Sequence, residues 1–317
     1  MIPILMLALL AAGGAAGYRY WTSHRYVAGH VPLRPIPPNE VAGHVREIAR
    51  IDPGEWADPF HTDEALVAFA RHVAASKSSA IERADAIVNA LQARKQKKAF
   101  VEWTRVEPRE GPPLTAADTW RSLARDNAQL QRYPFEIASL AVAALRAVDV
   151  PAMLVEIYRY PNERAPLDPS GRLGYYGVFV GDAEHNAGRV FDPYGGRTAQ
   201  PSAKDFVILD DVRAVGAALT LRALQRFDSG GDLAGAWADS DAARKLSPKS
   251  PSTHSARAQI WLAKNGGAEE GKRELNEAFT LRSDAARHNN LAIYSLSQMD
   301  AASAAGHVKA ALDEAPD

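Results

Sequence analysis

Hydrophobic residues recur with helical spacing through much of the first half of this chain. Over residues 63–74 and 81–93 the apolar positions fall three and four apart, so each stretch predicts an amphipathic helix with one buried side. Over residues 134–148 apolar residues surround the whole helix, which predicts burial on every side. A shorter helix is expected over residues 40–51, between prolines that break regular structure.

The pattern changes to short apolar runs after residue 150. Residues 153–158, 176–180, 190–191 and 206–209 are rich in β-branched and aromatic residues, so they predict strands. Helices followed by a run of strands is the order of an α+β domain.

Small residues recur in pairs seven positions apart in the last third of the chain. The pairs are Ala236 with Ala243, Gly271 with Ala278, and Ala304 with Ala311, offset by 35 and then by 33 residues. A period near 34 residues, with small side chains where helices cross closely, resembles the tetratricopeptide repeat. The resemblance implies about three stacked helix pairs, because one pair cannot bury its apolar face alone.

In such an array the first helix of each pair lines a concave face. Four side chains are expected to point into it as candidate partner-binding residues: Ser255, Gln259, Asn289 and Ile293. This set is nearly uncharged, which predicts contact with a folded surface or an extended segment of another protein through hydrogen bonds and apolar contact. The alternative is an array that packs only on its own core domain.

The first 17 residues carry no charged side chain. Their length is at the short end of a membrane span, and Tyr18, Tyr20 and Trp21 follow as an interfacial belt, so residues 1–21 predict a transmembrane anchor. A cleaved signal peptide is the alternative, although no Lys or Arg precedes the apolar run. The arginines after it favour a single-pass protein of the inner membrane with its soluble part on the cytoplasmic side.

The composition is that of an ordinary globular protein, with 46% hydrophobic and 24% charged residues over 317 positions. That length is enough for about two domains. Residues 61–212 are expected to form the first and residues 213–317 the helical repeats, with a Pro-rich linker over residues 22–60. The net charge of −1 gives no case for nucleic acid as a partner, and the lack of cysteine excludes disulfides and thiolate chemistry.

Residues 133–138, Tyr-Pro-Phe-Glu-Ile-Ala, run into an Ala/Leu helix that closes with Leu-Arg-Ala-Val-Asp-Val-Pro-Ala at 145–152. This run resembles the core of the transglutaminase-like (papain-like) superfamily, in which a Cys opens the corresponding helix. The resemblance covers residues 61–210 and implies an α+β transglutaminase-like domain ahead of the all-α repeats. It places the family's nucleophile, base and orienting carboxylate at or beside Pro134, at Tyr176 (or Tyr175), and at Asp192.

Proline and tyrosine supply neither the thiolate nor the imidazole that this chemistry needs. The resemblance therefore implies the superfamily's fold without its reaction, and no cofactor. We expect Asp192 to be structural, with its carboxylate accepting N–H bonds of the turn at Pro193, and its replacement by Ala to cost about 1–2 kcal/mol. Four tyrosines gather around the first two strands, where they pack or fill the vacated cleft: Tyr158, Tyr160, Tyr175 and Tyr176.

The remaining polar clusters are weaker signals. A basic run at the end of the helix over residues 81–93 is either a solvated helix end or a lipid-facing surface: Arg94, Lys95, Lys97 and Lys98. His24, His30 and His44 are irregularly spaced in the linker and predict no metal site. Glu136 suits the first turn of its helix because of the helix dipole.

Together these patterns predict a membrane-anchored, non-catalytic scaffold or accessory subunit of a membrane complex, which binds other proteins through its repeats and its pseudo-enzyme domain. The alternatives are a hydrolase with a repurposed cleft, which would use Asp192, Glu136 or a tyrosine, and an envelope-associated assembly factor. Side chains that fill the cleft would favour the scaffold, and an open polar pocket at Asp192 would favour the hydrolase.

Overall fold

The structure is a computed structural model that describes residues 31–96, 115–124, 133–161, 163–202, 204–230, 232–264 and 266–315. The described helices before the sheet are α1 (Pro38–Ala49), α2 (Glu64–Ala74), α3 (Ala80–Gln96), α4 (Ala116–Ala124) and α5 (Pro134–Arg146). The strands are β1 (Ala152–Ile157), β2 (Tyr176–Asp182), β3 (Ala187–Asp192), β4 (Arg197–Ala199) and β5 (Phe206–Leu209). The helices after it are α6 (Asp211–Asp228), α7 (Leu233–Leu246), α8 (Pro251–Leu262), α9 (Ala268–Leu281), α10 (Ala285–Ser297) and α11 (Ala301–Glu314).

Two sequence-based predictions are wrong. The predicted fold class included a transmembrane helix, but none of the described helices is long and apolar enough to cross a membrane. What the described residues contain is helices and one small antiparallel sheet. The predicted location, as a single-pass protein of the inner membrane, is wrong for the same reason. The anchor itself was predicted over residues 1–21, which lie outside the described residues.

The helices and strands predicted from periodicity are confirmed. Helix α2 starts after Asp63, whose carboxylate caps it by accepting the N–H of Leu66, and it buries Leu66, Ala70 and Ala74 on one side. Helix α5 is buried from Pro134 through Leu145, as the apolar residues on all of its sides predicted. Strand β4 was not predicted, because it has three residues and no buried side chain to create a pattern.

The sheet has the strand order β4-β3-β2-β1-β5, and all of its pairings are antiparallel. Leu154 of β1 lies opposite Val178 of β2 and Leu209 of β5, so apolar side chains line up across three strands. Helix α5 packs on β1 and β2, α3 packs on β2 and β3, and α6 packs on β1 and β5. The large hydrophobic core therefore joins the sheet to helices from both halves of the chain.

Asp211, at the start of α6, ties three parts of the fold together. Its buried carboxylate receives Nη1 and Nη2 of Arg146 at 3.0 and 2.7 Å, and it also accepts the N–H of Ile36 at 3.1 Å. The Arg146 guanidinium lies over the Phe60 ring at 4.4 Å and donates from Nε to the Ala152 carbonyl. These bonds fix the end of α5 and the segment before α1 against α6, the first helix after the sheet.

The stretch predicted as a Pro-rich linker contains α1, which packs on α6 and α7. Its buried side chains, Val41, Val45 and Ala49, lie four residues apart on one side of the helix. The described residues from Leu33 onward form one compact unit.

The six helices described after the sheet pack as consecutive pairs, α6 with α7, α8 with α9 and α10 with α11, and neighbouring pairs also touch. Most begin at a polar side chain that caps the first turn, which the described caps of Asp210, Asp232, Ser250, Asp284 and Asp300 illustrate. Between the second and third pairs, Leu275 packs with Leu291 and Tyr294 around Ala258.

Candidate functional site

The position that the resemblance assigns to the nucleophile lies in the core. Pro134 is the first residue of α5, where its fixed φ suits the helix start, and it is buried. Its neighbours Tyr133 and Phe135 are buried too, and so is Glu136 in the same turn. None of these side chains offers a nucleophilic atom to solvent.

The position assigned to the base is filled by an aromatic pair. Tyr176 at the start of β2 is 2% exposed, and its ring meets the Phe135 ring edge-on at 5.3 Å between centroids. Gly174 makes room for it, because a Cβ there would lie 2.6 Å from the Tyr176 hydroxyl. Burial raises the pKa of Tyr176 well above that of a free tyrosine, and the nearby Glu156 carboxylate raises it further. The phenol therefore stays neutral.

Asp192, at the end of β3, is held by four hydrogen bonds. Its Oδ2 accepts the hydroxyls of Tyr160 at 2.5 Å and Tyr175 at 2.8 Å. Its Oδ1 accepts the backbone N–H groups of Tyr194 at 2.9 Å and Gly195 at 2.6 Å. The predicted turn bonds are present, and the phenols of Tyr160 and Tyr175 are satisfied by the carboxylate. Each acceptor oxygen of the carboxylate already has two donors.

The pKa values of the tyrosines around Asp192 are raised. Burial raises the pKa of Tyr160 and Tyr175 far above the ordinary value, and the Asp192 carboxylate raises both further. The pKa of Tyr194 rises to about 12 for the same two reasons. A phenol with a raised pKa is a poor base and a poor nucleophile near neutral pH, and it is a stable hydrogen-bond donor.

The three assigned positions are thus brought close together through their neighbours. Phe135 beside Pro134 contacts Tyr176, and Tyr175 beside Tyr176 donates to Asp192. The resemblance allowed the base position to fall on either tyrosine, and Tyr175 is the one that meets the carboxylate.

The candidate partner-binding residues divide into two pairs. Ser255 is buried, and Gln259 is partly buried with its Oε1 accepting Nη1 of Arg172 at 2.6 Å. Asn289 is exposed, and the side chain of Ile293 is 59% exposed. Gln259 therefore contacts the protein's own loop between β1 and β2, Ser255 is buried, and only Asn289 and Ile293 are open to a partner.

The same loop is fastened to the repeats at several other points. Arg287 donates from Nη2 to the Gly171 carbonyl at 3.2 Å, and Asn290 donates to the Ser170 carbonyl at 3.0 Å. Asp168 stabilises the loop from inside by accepting the N–H groups of Leu173 and Gly174, both at 2.8 Å. The inner side of the array therefore holds a segment of its own chain.

A buried polar cluster lies at this contact, and no sequence pattern predicted it. Ser252 donates from Oγ to Glu156 at 2.7 Å and receives Nη2 of Arg287 at 3.2 Å, while Tyr158 donates to the other Glu156 oxygen at 3.3 Å. Burial raises the pKa of Glu156 above its ordinary value. A cavity of about 10 Å³ beside the cluster has room for a single water molecule.

The basic run is only partly described. Arg94 lies at the end of α3 with its guanidinium over the Trp120 ring at 4.4 Å and the Phe69 ring at 5.2 Å. The Arg94 guanidinium therefore makes its cation–π contacts with rings of the protein itself. The side chain of Lys95 and all of Lys97 and Lys98 lie outside the described residues.

His24 and His30 also lie outside the described residues, and His44 is partly buried in α1. Within the described part of the chain, no group of three or more possible ligands converges as a metal site would require.

Compared with family models, with curated proteins and with solved structures, this chain matches none.

Proposed function

We propose that this protein is a non-catalytic scaffold that binds other proteins through the exposed surface of its helical repeats. Its sheet domain would serve as the support on which the repeats are fixed. Residues 61–210, which resemble the transglutaminase-like superfamily, would have that superfamily's fold without its reaction.

One observation carries the proposal: the space at the assigned catalytic positions is filled. Tyr175 and Tyr160 both donate to Asp192 Oδ2, and Tyr176 packs on Phe135. A hydrolase that reused this cleft would need an open polar pocket at Asp192, because a general acid or base must reach the proton it transfers. The arrangement instead supports a structural role for Asp192.

The surface offered to a partner is the solvent side of α10. Asn289 and Ile293 lie four residues apart on that side, so they form one small patch with an amide and an aliphatic group. A patch of this kind suits a protein surface that supplies apolar area and a hydrogen-bond partner.

Affinity copurification of the full-length chain tests the proposal. We expect proteins that copurify with the wild type to be lost with Ile293→Glu and with Asn289→Glu, because each places a charge in the patch. Leu233→Glu is the matched control, since Leu233 is also an exposed aliphatic residue, 43% exposed, but lies at the start of α7. Asp192→Asn should retain the same partners.

Two outcomes would contradict the proposal. One is an unchanged set of partners in both α10 variants when circular dichroism reports an intact fold. The other is a turnover by the purified protein that disappears in Asp192→Asn without loss of folding.

A further inference from the structure

Exposed apolar side chains are concentrated on the last helix pair. Of the seven large hydrophobic residues that are strongly exposed in the described part of the chain, five lie between Ile293 and Leu312. Soluble proteins seldom gather such residues on one element unless something covers them. The last described helix pair therefore presents an apolar surface that another molecule is expected to cover.

Helix α11 carries its exposed apolar residues as a stripe. Ala301, Ala305, Val308 and Leu312 are all exposed and are spaced four, three and four residues apart, while Ala304 is the one fully buried residue described in the helix. This spacing is that of the seam along which two helices pack. The stripe runs along nearly the whole helix.

The preceding helix pair shows what packs on the corresponding side of its second helix, α9. With the 33-residue offset that relates Gly271 to Ala304, Val308 corresponds to Leu275 and Leu312 corresponds to Phe279. Leu275 is packed with Leu291 and Tyr294 of α10, and the Phe279 ring meets the His288 ring at 4.8 Å. The α9 positions that correspond to Val308 and Leu312 are thus covered by a helix, whereas those that correspond to Ala301 and Ala305 are the exposed Ala268 and Lys272.

The C-terminal half of the α11 stripe therefore continues an interface that the protein already uses between α9 and α10. Helix α11 is itself an exposed helix with an apolar side. We propose that α11 of a second copy covers the stripe, so that two copies associate through the same face. An isologous contact of this kind closes on itself and gives a two-fold dimer.

The order of the side chains specifies an antiparallel arrangement. If the two-fold axis passes midway along the stripe, Ala301 of one copy faces Leu312 of the other, and Ala305 faces Val308. Small residues then oppose large ones at every level, which fills the seam without clash. A parallel arrangement would set alanine against alanine and leave gaps. Lys309 is the charged residue of α11 that lies beside the middle of the stripe. The antiparallel pairing places it near Ala302 of the other copy.

Analytical ultracentrifugation of the purified full-length chain tests association. We expect a concentration-dependent dimer, and we expect Leu312→Glu and Val308→Glu each to weaken it at least tenfold, because a two-fold interface buries each substitution twice. Leu233→Glu, the matched exposed control, should leave the dimer unchanged. A monomer at all concentrations, or a dimer indifferent to both α11 substitutions, would overturn the proposal and point to another segment or protein on this face.

Cysteine cross-linking tests the direction of the helices, and it is specific because the chain has no cysteine of its own. Mixing Ala305→Cys with Val308→Cys should give a disulfide-linked dimer under mild oxidation. Leu312→Cys should not link to itself, because the two positions would be about 16 Å apart along the helix axis. Self-linking of Leu312→Cys would refute the antiparallel pairing. Both assays use the purified chain alone, so their failure is separate from failure of the partner assay on α10.

Discussion

The bonds around Asp192 allow the cost of removing its carboxylate to be worked out. Asp192→Ala deletes four hydrogen bonds and leaves two buried phenols and two backbone N–H groups without their acceptor. A hydrogen bond to a charged group contributes about 1.5–3 kcal/mol, and stranded buried donors add to the loss, although water entering the vacated space offsets part of it. We expect the free energy of unfolding to fall by about 3–5 kcal/mol. The sequence-based value of about 1–2 kcal/mol counted the turn bonds alone.

Urea unfolding followed by tryptophan fluorescence measures this loss, and the chain has six tryptophans as reporters. Tyr175→Phe should cost about 1–2 kcal/mol in the wild type, since it removes one donor, but close to nothing when Asp192 is already Ala. That difference isolates the phenol–carboxylate bond from the packing of the ring. A loss below about 1 kcal/mol for Asp192→Ala, or equal effects of Tyr175→Phe in both backgrounds, would refute the reasoning.

Two further predictions concern neighbouring groups. Burial raises the folded-state pKa of Glu156 above 4.5, so the stability linked to its proton is complete below pH 4.5 and is lost as the pH rises through the raised pKa. Glu156→Gln should flatten this decline when the free energy of unfolding is measured by urea titration at acidic and near-neutral pH. An unchanged slope of stability against pH would contradict the prediction. At Gly195 a Cβ would clash with Oδ2 of Asp192 and lie 2.8 Å from the Tyr175 hydroxyl, so Gly195→Ala should cost about 1–3 kcal/mol. Gly54→Ala, which meets nothing within 4 Å, is its matched control and should change stability by less than about 0.5 kcal/mol.

Local patterns predicted the elements because burial decides them one at a time. Helix α5 could be predicted because every side of it is buried, which requires apolar residues around the whole helix. Strands β1 and β5 could be predicted because short β-branched runs suit buried, paired backbone. The small-residue period likewise marks where α7, α9 and α11 meet their neighbours, since Ala236, Ala278 and Ala304 are all buried.

The partners of polar groups could not be predicted, because they depend on contacts between distant parts of the chain. Tyr160 reaches Asp192 across 32 positions, and Ser252 reaches Glu156 across 96. Tyrosine and serine carry no local pattern that marks one of them as a partner of a particular carboxylate. The sequence could therefore place Asp192 at the end of a strand and still miss two of its four bonds.

The same limit explains why the concave face was an incomplete guide to binding. Repeat periodicity predicts which side of a helix faces inward, but it does not say what fills that side. Here the loop between β1 and β2 fills it: Arg172 holds Gln259, and Arg287 and Asn290 hold the loop carbonyls. A peptide entering this space would have to replace those bonds and leave buried donors unpaired, which costs more than an open surface does. Contact with other molecules is therefore expected where the array is still open, at the solvent side of α10 and along the α11 stripe. One surface would then bind a different protein and the other a second copy of this chain, and substitutions at Ile293 and Leu312 should separate the two.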